Sequence, residues 1–408
     1  EDKLEKGARR EGKTAWGVAE FYTAEFLNGM RELNLVKPEN LSKATDFIPE
    51  QIKIIEELSK KGFTYETSDG IYFDTAKFPR YANFAHLDLD NLKAGARVNF
   101  NPEKRNLSDF ALWKWSPEDQ KRDMEWEFCG RMGFPGWHLE CSAIAINTLG
   151  ETIDIHTGGI DHIPVHHTDE IAQSETFTGK TFSNYWLHCN HMKSEGQKIS
   201  KSLGNGFNLE ELKSRGFSPI DFKMFVLQSQ YQTESNFNFE SLQAAKNRLK
   251  NWQNIANMRW QIKGSEGEIP SLAAKNAILE EINENLDTPK ALAKIDAAIV
   301  ELQKDGTLKK LGEQFFGQDV FGEIIKANPE KLNHQNLIEL LEFIDDLLGL
   351  NLLGSTPDIP DEIKQKIIER NAARTEKDWV KSDKIRDELL SKNIVLRDAP
   401  KKSFWEYN

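Results

Sequence analysis

The chain has 408 residues, of which 29% are charged, and its mean hydropathy is −0.60. No apolar run approaches the ~20 residues that a membrane helix needs, so the composition excludes a membrane-spanning protein. The length suits about two to four domains. Three cysteines without framework spacing argue against disulfides and favour a reducing, cytoplasmic compartment.

The net charge of −12 speaks against nucleic-acid binding over the whole surface. Residues 364–408 differ from the rest, because they carry 12 Lys/Arg and 8 Asp/Glu, a net charge of +4. RNA binding depends on local basic surface and not on the total charge. The end of the chain is therefore the candidate for an RNA contact.

Periodicity predicts the elements of the first part of the chain. Apolar residues at helical spacing predict a helix over residues 10–35 and another over 47–61, which Gly62 ends. Residues 64–73 contain Asp-Gly between apolar runs and predict a hairpin, and residues 109–115 alternate like a strand.

The second part of the chain shows a different pattern. Residues 126–185 alternate short apolar strands with helical segments, which is typical of a parallel α/β sheet. Residues 241–350 are strongly helical, and a Gly/Pro-containing linker follows them. Residues 361–408 predict two helices and a strand at 394–396.

A compact cationic loop is formed by Lys198-Ile199-Ser200-Lys201-Ser202, which Leu203-Gly204-Asn205 follows. Ammonium groups neutralise phosphate charge, hydroxyls donate hydrogen bonds, and Gly204 permits a tight turn. Such a loop suits the developing charge of a leaving pyrophosphate. A solvated surface loop has the same composition, so the residues alone leave that alternative open.

A metal site is predicted from Cys141, His166 and Glu170. Pro164 can begin a helix, and His166 and Glu170 then lie four residues apart on one face. Thiolate, imidazole and carboxylate are typical Zn²⁺ ligands. On spacing alone four other histidines compete, and a helix cap or core packing also explains such residues. The rival histidines are His138, His156, His162 and His167.

A nucleotide contact is indicated by Gly158-Gly159-Ile160-Asp161, which follows the short apolar strand 153–155. Glycines at the end of a strand let a ligand approach the backbone, and a nearby carboxylate can bind ribose hydroxyls. A Gly-Gly turn also occurs without any ligand, so this motif is weak by itself.

Four ordered motifs together resemble the cysteinyl-tRNA synthetases, a family of class I aminoacyl-tRNA synthetases. They are 136–142 (GWHLECS), 154–162 (DIHTGGIDH), 164–174 (PVHHTDEIAQS) and 198–202 (KISKS). The resemblance implies an α/β fold with a class I, Rossmann-like nucleotide-binding parallel sheet, followed by a helical bundle and a small C-terminal anticodon-binding domain. The family's His-x-Gly-His loop has no match, so we expect the sheet to be incomplete and the N-terminal part to be missing.

The resemblance also implies a division into six segments. These are 1–44, the remainder of the first half of the nucleotide-binding domain; 45–125, an insertion (connective) domain; 126–185, the second half of the nucleotide-binding domain; 186–240, the KISKS loop and stem-contact region; 241–353, the helical bundle; and 361–408, the anticodon-binding domain.

The family's zinc ligands match Cys141, His166 and Glu170, and a further ligand is an unidentified cysteine in the part expected to be missing. Zinc would bind the substrate thiolate and so reject serine. Trp137 and His156 would border the cysteine pocket. ATP would contact Gly159, Asp161, Lys198, Ser200, Lys201 and Ser202, with Lys198 and Lys201 catalytic. Four residues receive no role: Cys129, Cys189, His162 and His167.

The C-terminal segment resembles the family's anticodon-binding region. Residues suited to reading unpaired bases are Arg374, Asp383, Asp398 and Trp405. Without the resemblance, a solvated charged helix explains the same pattern.

The implied function is ATP-dependent ligation of L-cysteine to tRNA(Cys) through a cysteinyl-adenylate, with Zn²⁺ and with Mg²⁺ accompanying ATP, by a cytoplasmic monomer. Two alternatives stay open. A cysteine ligase of thiol biosynthesis shares the activation chemistry, but residues 361–408 argue against it because such a ligase is not expected to carry an anticodon-binding segment. A catalytically inactive RNA-binding fragment is the other alternative.

Overall fold

The computed structural model describes residues 3–89, 101–117, 121–200, 203–261, 271–303, 334–398 and 403–407. The chain divides into two compact units. The first contains Glu1–Gly29, Lys37–His191 and Gln232–Glu234; the second contains Met30–Val36, Met192–Tyr231 and Ser235–Asn408. None of the helices in the described ranges combines the length and apolar character that crossing a bilayer requires.

The first unit opens with helices α1 (Lys3–Glu11) and α2 (Ala15–Glu32), and α2 continues into the second unit. The helix predicted over 10–35 is confirmed as α2 with narrower bounds, and the structure adds α1, which was not predicted. Gly12 has a φ of +64°, which interrupts the helical backbone, and the Asp123 carboxylate accepts a hydrogen bond from the amide of Ala15 (2.6 Å) at the new start. The third helix, α3 (Ile48–Lys60), ends before Gly62 as predicted.

Five antiparallel strands form a sheet in the order β1-β2-β3-β5-β4. They are β1 (Thr64–Thr67), β2 (Gly70–Phe73), β3 (Phe110–Trp115), β4 (Trp126–Phe128) and β5 (Arg131–Pro135). The predicted hairpin and the strand near 109–115 are confirmed. Buried residues of α3 and of the sheet, among them Leu58, Phe73 and Trp113, share one core cluster.

The strands in 126–135 were predicted to belong to a parallel sheet, and that expectation is wrong. Cys129 and Gly130 have φ angles of 50° and 73°, which closes a tight hairpin between β4 and β5. A two-residue hairpin joins antiparallel neighbours, whereas a parallel pair needs a long crossover. The antiparallel sheet thus extends to Pro135, ten residues past the predicted end of the insertion at 125.

A parallel pair follows, and it positions most of the candidate site. Helix α4 (Leu139–Leu149) precedes strand β6 (Ile153–Gly159), which pairs in parallel with β7 (Ser183–Cys189). The crossover contains a short turn at Ile160–His162, a wide helical turn at Ile163–His167 and helix α5 (Thr168–Thr178). The Lys61 ammonium donates to the carbonyls of Thr176 and Phe177 (both 2.7 Å), which caps the end of α5.

The second unit contains a small sheet and a helical bundle. Strands β8 (Met192–Ser194), β9 (Gln197–Lys198) and β10 (Ser235–Phe237) pair in the order β10-β8-β9. The helices that follow are α6 (Leu209–Ser214), α7 (Pro219–Leu227), α8 (Phe239–Asn257), α9 (Ser271–Asn283), α10 (Thr288–Gln303) and α11 (His334–Leu348). Buried apolar residues of these helices, among them Leu242, Trp252 and Ile344, form their common core.

The C-terminal module consists of α12 (Asp361–Thr375), α13 (Trp379–Ser391) and the antiparallel strands β11 (Ile394–Asp398) and β12 (Ser403–Tyr407). Its second strand was not predicted. Arg370 is 2% exposed, and its guanidinium donates to both oxygens of Asp398 (2.6 and 2.9 Å) and to Ser403. This bidentate pair ties α12 to the strand pair.

We predict that Asp398→Asn destabilises the C-terminal module by about 2 kcal/mol, because it leaves the buried Arg370 charge uncompensated. This value is below that of a fully buried pair, since the Asp398 side chain is 36% exposed. Hydrogen exchange of peptides from 361–398 measures it. The matched control is Asp383→Asn, whose exposed carboxylate contacts Arg386 at 3.2 Å and contributes under about 1 kcal/mol. Equal protection in both variants would contradict the prediction.

The same pair predicts a pH dependence. Hydrogen bonding from Arg370 lowers the pKa of Asp398 from its usual 3.8 to about 2. A carboxyl whose pKa is lower in the folded state stabilises the fold above its unfolded pKa and loses this contribution as the pH falls. We expect module stability in the wild type to decline as the pH falls from about 4 towards about 2, and this part of the decline to be absent in Asp398→Asn.

Candidate functional site

Cys141, His166 and Glu170 converge in the first unit. Cys141 lies on α4, His166 on the wide turn before α5, and Glu170 on α5. Their potential ligand atoms all lie within 4.8 Å of one another. Glu170 is fully buried, and among the described residues its Oε1 makes no hydrogen bond, although His166 Nε2 lies 3.7 Å away. The structure thus brings together the three residues that the sequence grouped.

The electrostatics of this cluster favour a cation. Burial, together with the carboxylates of Glu170 and Glu140, raises the pKa of Cys141 to about 12. A buried carboxylate oxygen without a partner is costly, and an adjacent cation offsets that cost and also favours the thiolate. Thiolate, imidazole and carboxylate form a donor set that fits Zn²⁺.

Histidine rings surround this donor set. Six of the nine histidines of the chain lie in a chain of mutual contacts: His138, His156, His162, His166, His167 and His188. Burial lowers the pKa of His138 and of His167 to about 3, so both imidazoles are neutral at pH 7. Neutral rings keep the lone pair that metal binding or hydrogen bonding uses.

Two of the rival histidines form a second possible donor set. His156, His167 and Glu170 also have ligand atoms within 4.8 Å of one another. His156 Nε2 lies 2.8 Å from Glu170 Oε2, so the two oxygens of Glu170 face different partners. The geometry therefore allows His156 and His167 to act as metal ligands, the alternative that the sequence spacing left open. Cys141 favours the first set, because it adds a sulfur ligand.

The structure adds Tyr81 and His188 to the site, two residues that the sequence analysis did not select, and it shows which side chains His138 contacts. His138 Nδ1 lies 2.8 Å from His166 Nδ1, and its Nε2 lies 3.2 Å from Oδ2 of the buried Asp169. The Tyr81 hydroxyl donates to Asp169 Oδ1 (2.6 Å). His188 Nε2 lies 2.8 Å from His167 Nδ1. Tyr81 is remote in sequence from the motifs, so its role emerges only from the fold.

Each of the two consecutive glycines at the end of β6 leaves no room for a side chain, and the neighbouring atoms differ between the two positions. A Cβ at Gly158 would lie 2.7 Å from His167 Cε1 and 2.8 Å from His162 Nδ1. A Cβ at Gly159 would lie 2.5 Å from Asp161 Oδ1. His162 and His167, to which the sequence gave no role, therefore pack against the Gly158 backbone.

The residues predicted to border the cysteine pocket and those of the KISKS loop lie in different surroundings. Trp137, just before α4, is 75% exposed. In the second unit, Lys198 ends β9, and the Asn205 side chain accepts from the Ser200 amide (2.9 Å) and donates to the Lys198 carbonyl (3.1 Å). Gly204 has a φ of +60°, as the predicted turn requires. Lys201 and Ser202 lie outside the described residues.

The candidate anticodon-binding residues differ in how exposed their side chains are. Asp383 is exposed, whereas Asp398 pairs with Arg370 and lies 3.0 Å from Arg374. Trp405 is 5% exposed and belongs to the module core, so the expectation that it presents a face to a base is not met. Trp379 at the start of α13 is 58% exposed and offers such a face. The sequence analysis did not select Trp379.

Comparisons with known proteins agree with this architecture. Residues 1–247 match the family described as tRNA synthetases class I (C) catalytic domain, and residues 356–405 match the cysteinyl-tRNA ligase anticodon binding domain. The structure of Mycobacterium tuberculosis methionyl-tRNA synthetase in complex with methionyl-adenylate superposes with a TM-score of 0.57 over 86% of this chain and 82% of that chain. Its 14% sequence identity shows the fold alone. The molecule is a class I aminoacyl-tRNA synthetase.

Curated relatives define the family more narrowly. Cysteine–tRNA ligase from Treponema denticola is 37% identical over 419 residues, covering 100% of this chain and 83% of the relative. Cysteine–tRNA ligase 1 from Burkholderia lata is 37% identical over 404 residues, covering 98% and 78%. The chain belongs to the cysteinyl-tRNA synthetase family and is a ligase. The expected fold class is confirmed.

We predict that Gly158→Ala destabilises the fold by about 2 kcal/mol and displaces His162 and His167, because overpacking forces neighbours to move. Amino-acid-dependent ATP–pyrophosphate exchange should fall roughly 10- to 100-fold, since small displacements in a preorganised site are costly. Gly7→Ala on α1 is the matched control, because a Cβ there meets nothing within 4 Å. An unchanged melting temperature and exchange rate in Gly158→Ala would contradict the steric account.

Proposed function

We propose that this chain joins L-cysteine to tRNA(Cys) through a cysteinyl-adenylate and that zinc held by Cys141, His166 and Glu170 selects the cysteine. The observation that supports it most is the convergence of these three donors around a buried Glu170 oxygen that accepts no hydrogen bond from the residues that the structure describes. When bound, zinc supplies a soft Lewis acid that favours a thiolate over a serine hydroxyl. Membership of the family supports the same substrates.

The residues of the chain then have separate tasks. Trp137 and His156 border the cysteine, and Glu170, through its contact with His156, fixes the orientation of that ring. Gly159 and Asp161 contact the ribose of ATP, with the Gly159 backbone kept accessible by its missing Cβ. Lys198, Ser200, Lys201 and Ser202 bind the phosphates, and the two lysines stabilise the charge that develops during transfer.

The proposed reaction has two steps. The carboxylate of cysteine attacks the α-phosphorus of ATP, and pyrophosphate leaves with the bridging oxygen and its electron pair. A ribose hydroxyl at the tRNA end then attacks the carbonyl carbon of the adenylate, loses its proton, and AMP leaves. Mg²⁺ accompanies ATP in this class of enzyme. Positioning and charge stabilisation dominate such chemistry, so no general base is assigned.

The C-terminal module supports tRNA as the acceptor. Arg374, Asp383 and Asp398 lie in a segment that matches an anticodon-binding domain, and Trp379 adds an exposed aromatic face. This match favours a tRNA ligase over a cysteine ligase of thiol biosynthesis. The six-segment domain division, the monomeric state and the cytoplasmic location stay predictions.

We predict that the purified chain binds close to one zinc and catalyses cysteine-dependent ATP–pyrophosphate exchange. Glu170→Gln should weaken zinc binding roughly 100-fold and reduce exchange at least as much, because it replaces an anionic ligand by an amide. Glu175→Gln is the matched control on the same helix, since Glu175 pairs with Arg80 and not with the histidines. Chelator competition and the exchange assay measure both effects.

The outcomes of this experiment separate the alternatives. Zinc without exchange would favour the inactive RNA-binding fragment. A zinc-free chain would contradict the ligand assignment, and so would equal zinc affinity in Glu170→Gln and the wild type.

We predict that Trp379→Ala lowers kcat/KM for tRNA about tenfold while leaving pyrophosphate exchange unchanged, because one base–aromatic stack contributes roughly 1–3 kcal/mol. Leu390→Ala, at the far end of the same helix and 48% exposed, is the control for general damage to α13. A parallel loss in both variants, or a loss of exchange, would contradict a specific role in RNA binding.

A further inference from the structure

Strand β12 pairs with β11 along one edge, and side chains of the helical bundle occupy its other edge. The Gln261 side chain, four residues after the end of α8, donates to the Trp405 carbonyl (2.9 Å) and accepts from the Trp405 amide (2.8 Å). The Lys250 ammonium on α8 donates to the Tyr407 carbonyl (2.6 Å). The amide of Gln261 thus makes the two hydrogen bonds that a residue of a neighbouring strand would make.

The same strand contributes to two hydrophobic cores. Successive side chains of a strand point to opposite faces. Phe404 is 3% exposed and belongs to the core of the helical bundle, whereas Trp405 is 5% exposed and belongs to the core of the C-terminal module. Strand β12 is therefore shared between the bundle and the module, and Gln261 joins them at the backbone of this strand.

The segment that connects the bundle to α12 is held as well. The guanidinium of Arg259, which is 5% exposed, donates to the carbonyls of Leu353 (2.9 Å) and Thr356 (2.6 Å). The indole nitrogen of Trp260 donates to the Thr356 carbonyl (2.9 Å). The composition of this segment predicted a linker, and these contacts fix its backbone on the residues that follow α8.

The orientation of the module matters for a long RNA. A tRNA carries its anticodon and its amino-acid-accepting end at distant places, so a ligase has to meet both at once. If the module could turn on the bundle, only a fraction of the molecules would have the competent orientation. The apparent affinity for tRNA would then fall by that fraction.

We propose that Gln261 is a positioning residue that sets the orientation of the C-terminal module on the helical bundle for tRNA binding, with Lys250 as a second point of attachment. The inference rests on the proposed tRNA ligase function and deepens it. Gln261 acts through Trp405 and not by touching RNA, because the Trp405 backbone binds both polar atoms of its side-chain amide.

Two substitutions weaken the attachment in different ways. Gln261→Ala removes both hydrogen bonds to the Trp405 backbone. Lys250→Met removes the ammonium group and keeps most of the apolar stem. Gln243→Ala is the matched control, because Gln243 is an exposed glutamine of α8 whose side chain donates to Asn247 of the same helix (2.9 Å).

Two RNA probes separate positioning from damage to the module: the full-length tRNA(Cys), and its isolated anticodon stem-loop, which carries only the part that the module is proposed to bind. We expect Gln261→Ala to bind the tRNA about tenfold more weakly and Lys250→Met about threefold more weakly, while both bind the stem-loop as the wild type does. Cysteine-dependent ATP–pyrophosphate exchange should not change. Hydrogen exchange should become faster over 403–407 and stay unchanged over 379–391.

Three results would overturn the inference and leave the proposed function standing. They are wild-type tRNA affinity in Gln261→Ala, an equal loss of affinity for the stem-loop, which would indicate damage to the module or direct RNA contact, and an equal loss in Gln243→Ala. A wild-type chain that binds neither RNA would overturn the proposed tRNA ligase function and this inference together.

Discussion

The catalytic part of the molecule is arranged around one buried group, the carboxylate of Glu170. Both oxygens lie in the interior, where one meets His156 at 2.8 Å and the other has no hydrogen-bond partner among the described residues. An anion in such a position costs several kcal/mol unless a partner of opposite charge is present. The nearby imidazoles of His138 and His167 are neutral at pH 7, so they do not offset this charge, whereas the zinc proposed for this site would do so.

The surrounding fold holds the donor side chains of this cluster in fixed positions. Helix α5 packs against α3 and α4, and Lys61 caps its end. Gly158 allows two imidazoles to lie against the backbone of β6. The positions of the ligands are thus fixed by packing before any ligand arrives, which reduces the reorganisation that binding would require. The Tyr81–Asp169 contact extends the same rigidity outside the parallel pair.

The sequence predicted what depends on local pattern or on motif identity. The grouping of Cys141, His166 and Glu170, the hairpin at 64–73 and the helical character of 241–350 over its described residues all follow from such signals. It failed for two different reasons. At 126–135 a local turn signal, Cys129-Gly130, was missed, and the two strands it joins are antiparallel. Trp405 depends on long-range context, because the burial of its strand depends on the packing of α12. Tyr81 reaches Asp169 across 88 residues, a proximity that no local period encodes.

The Arg370–Asp398 pair couples architecture to recognition in the C-terminal module. Asp398 holds a buried guanidinium and lies in the segment proposed to bind RNA, so a substitution there would alter folding as well as the proposed contact with tRNA. Asp383 and Trp379 are exposed, and neither side chain holds a buried charge in place. Over evolutionary time, a change in anticodon preference would therefore be expected to begin with substitutions at those two exposed positions. Asp398 would be expected to change only together with Arg370.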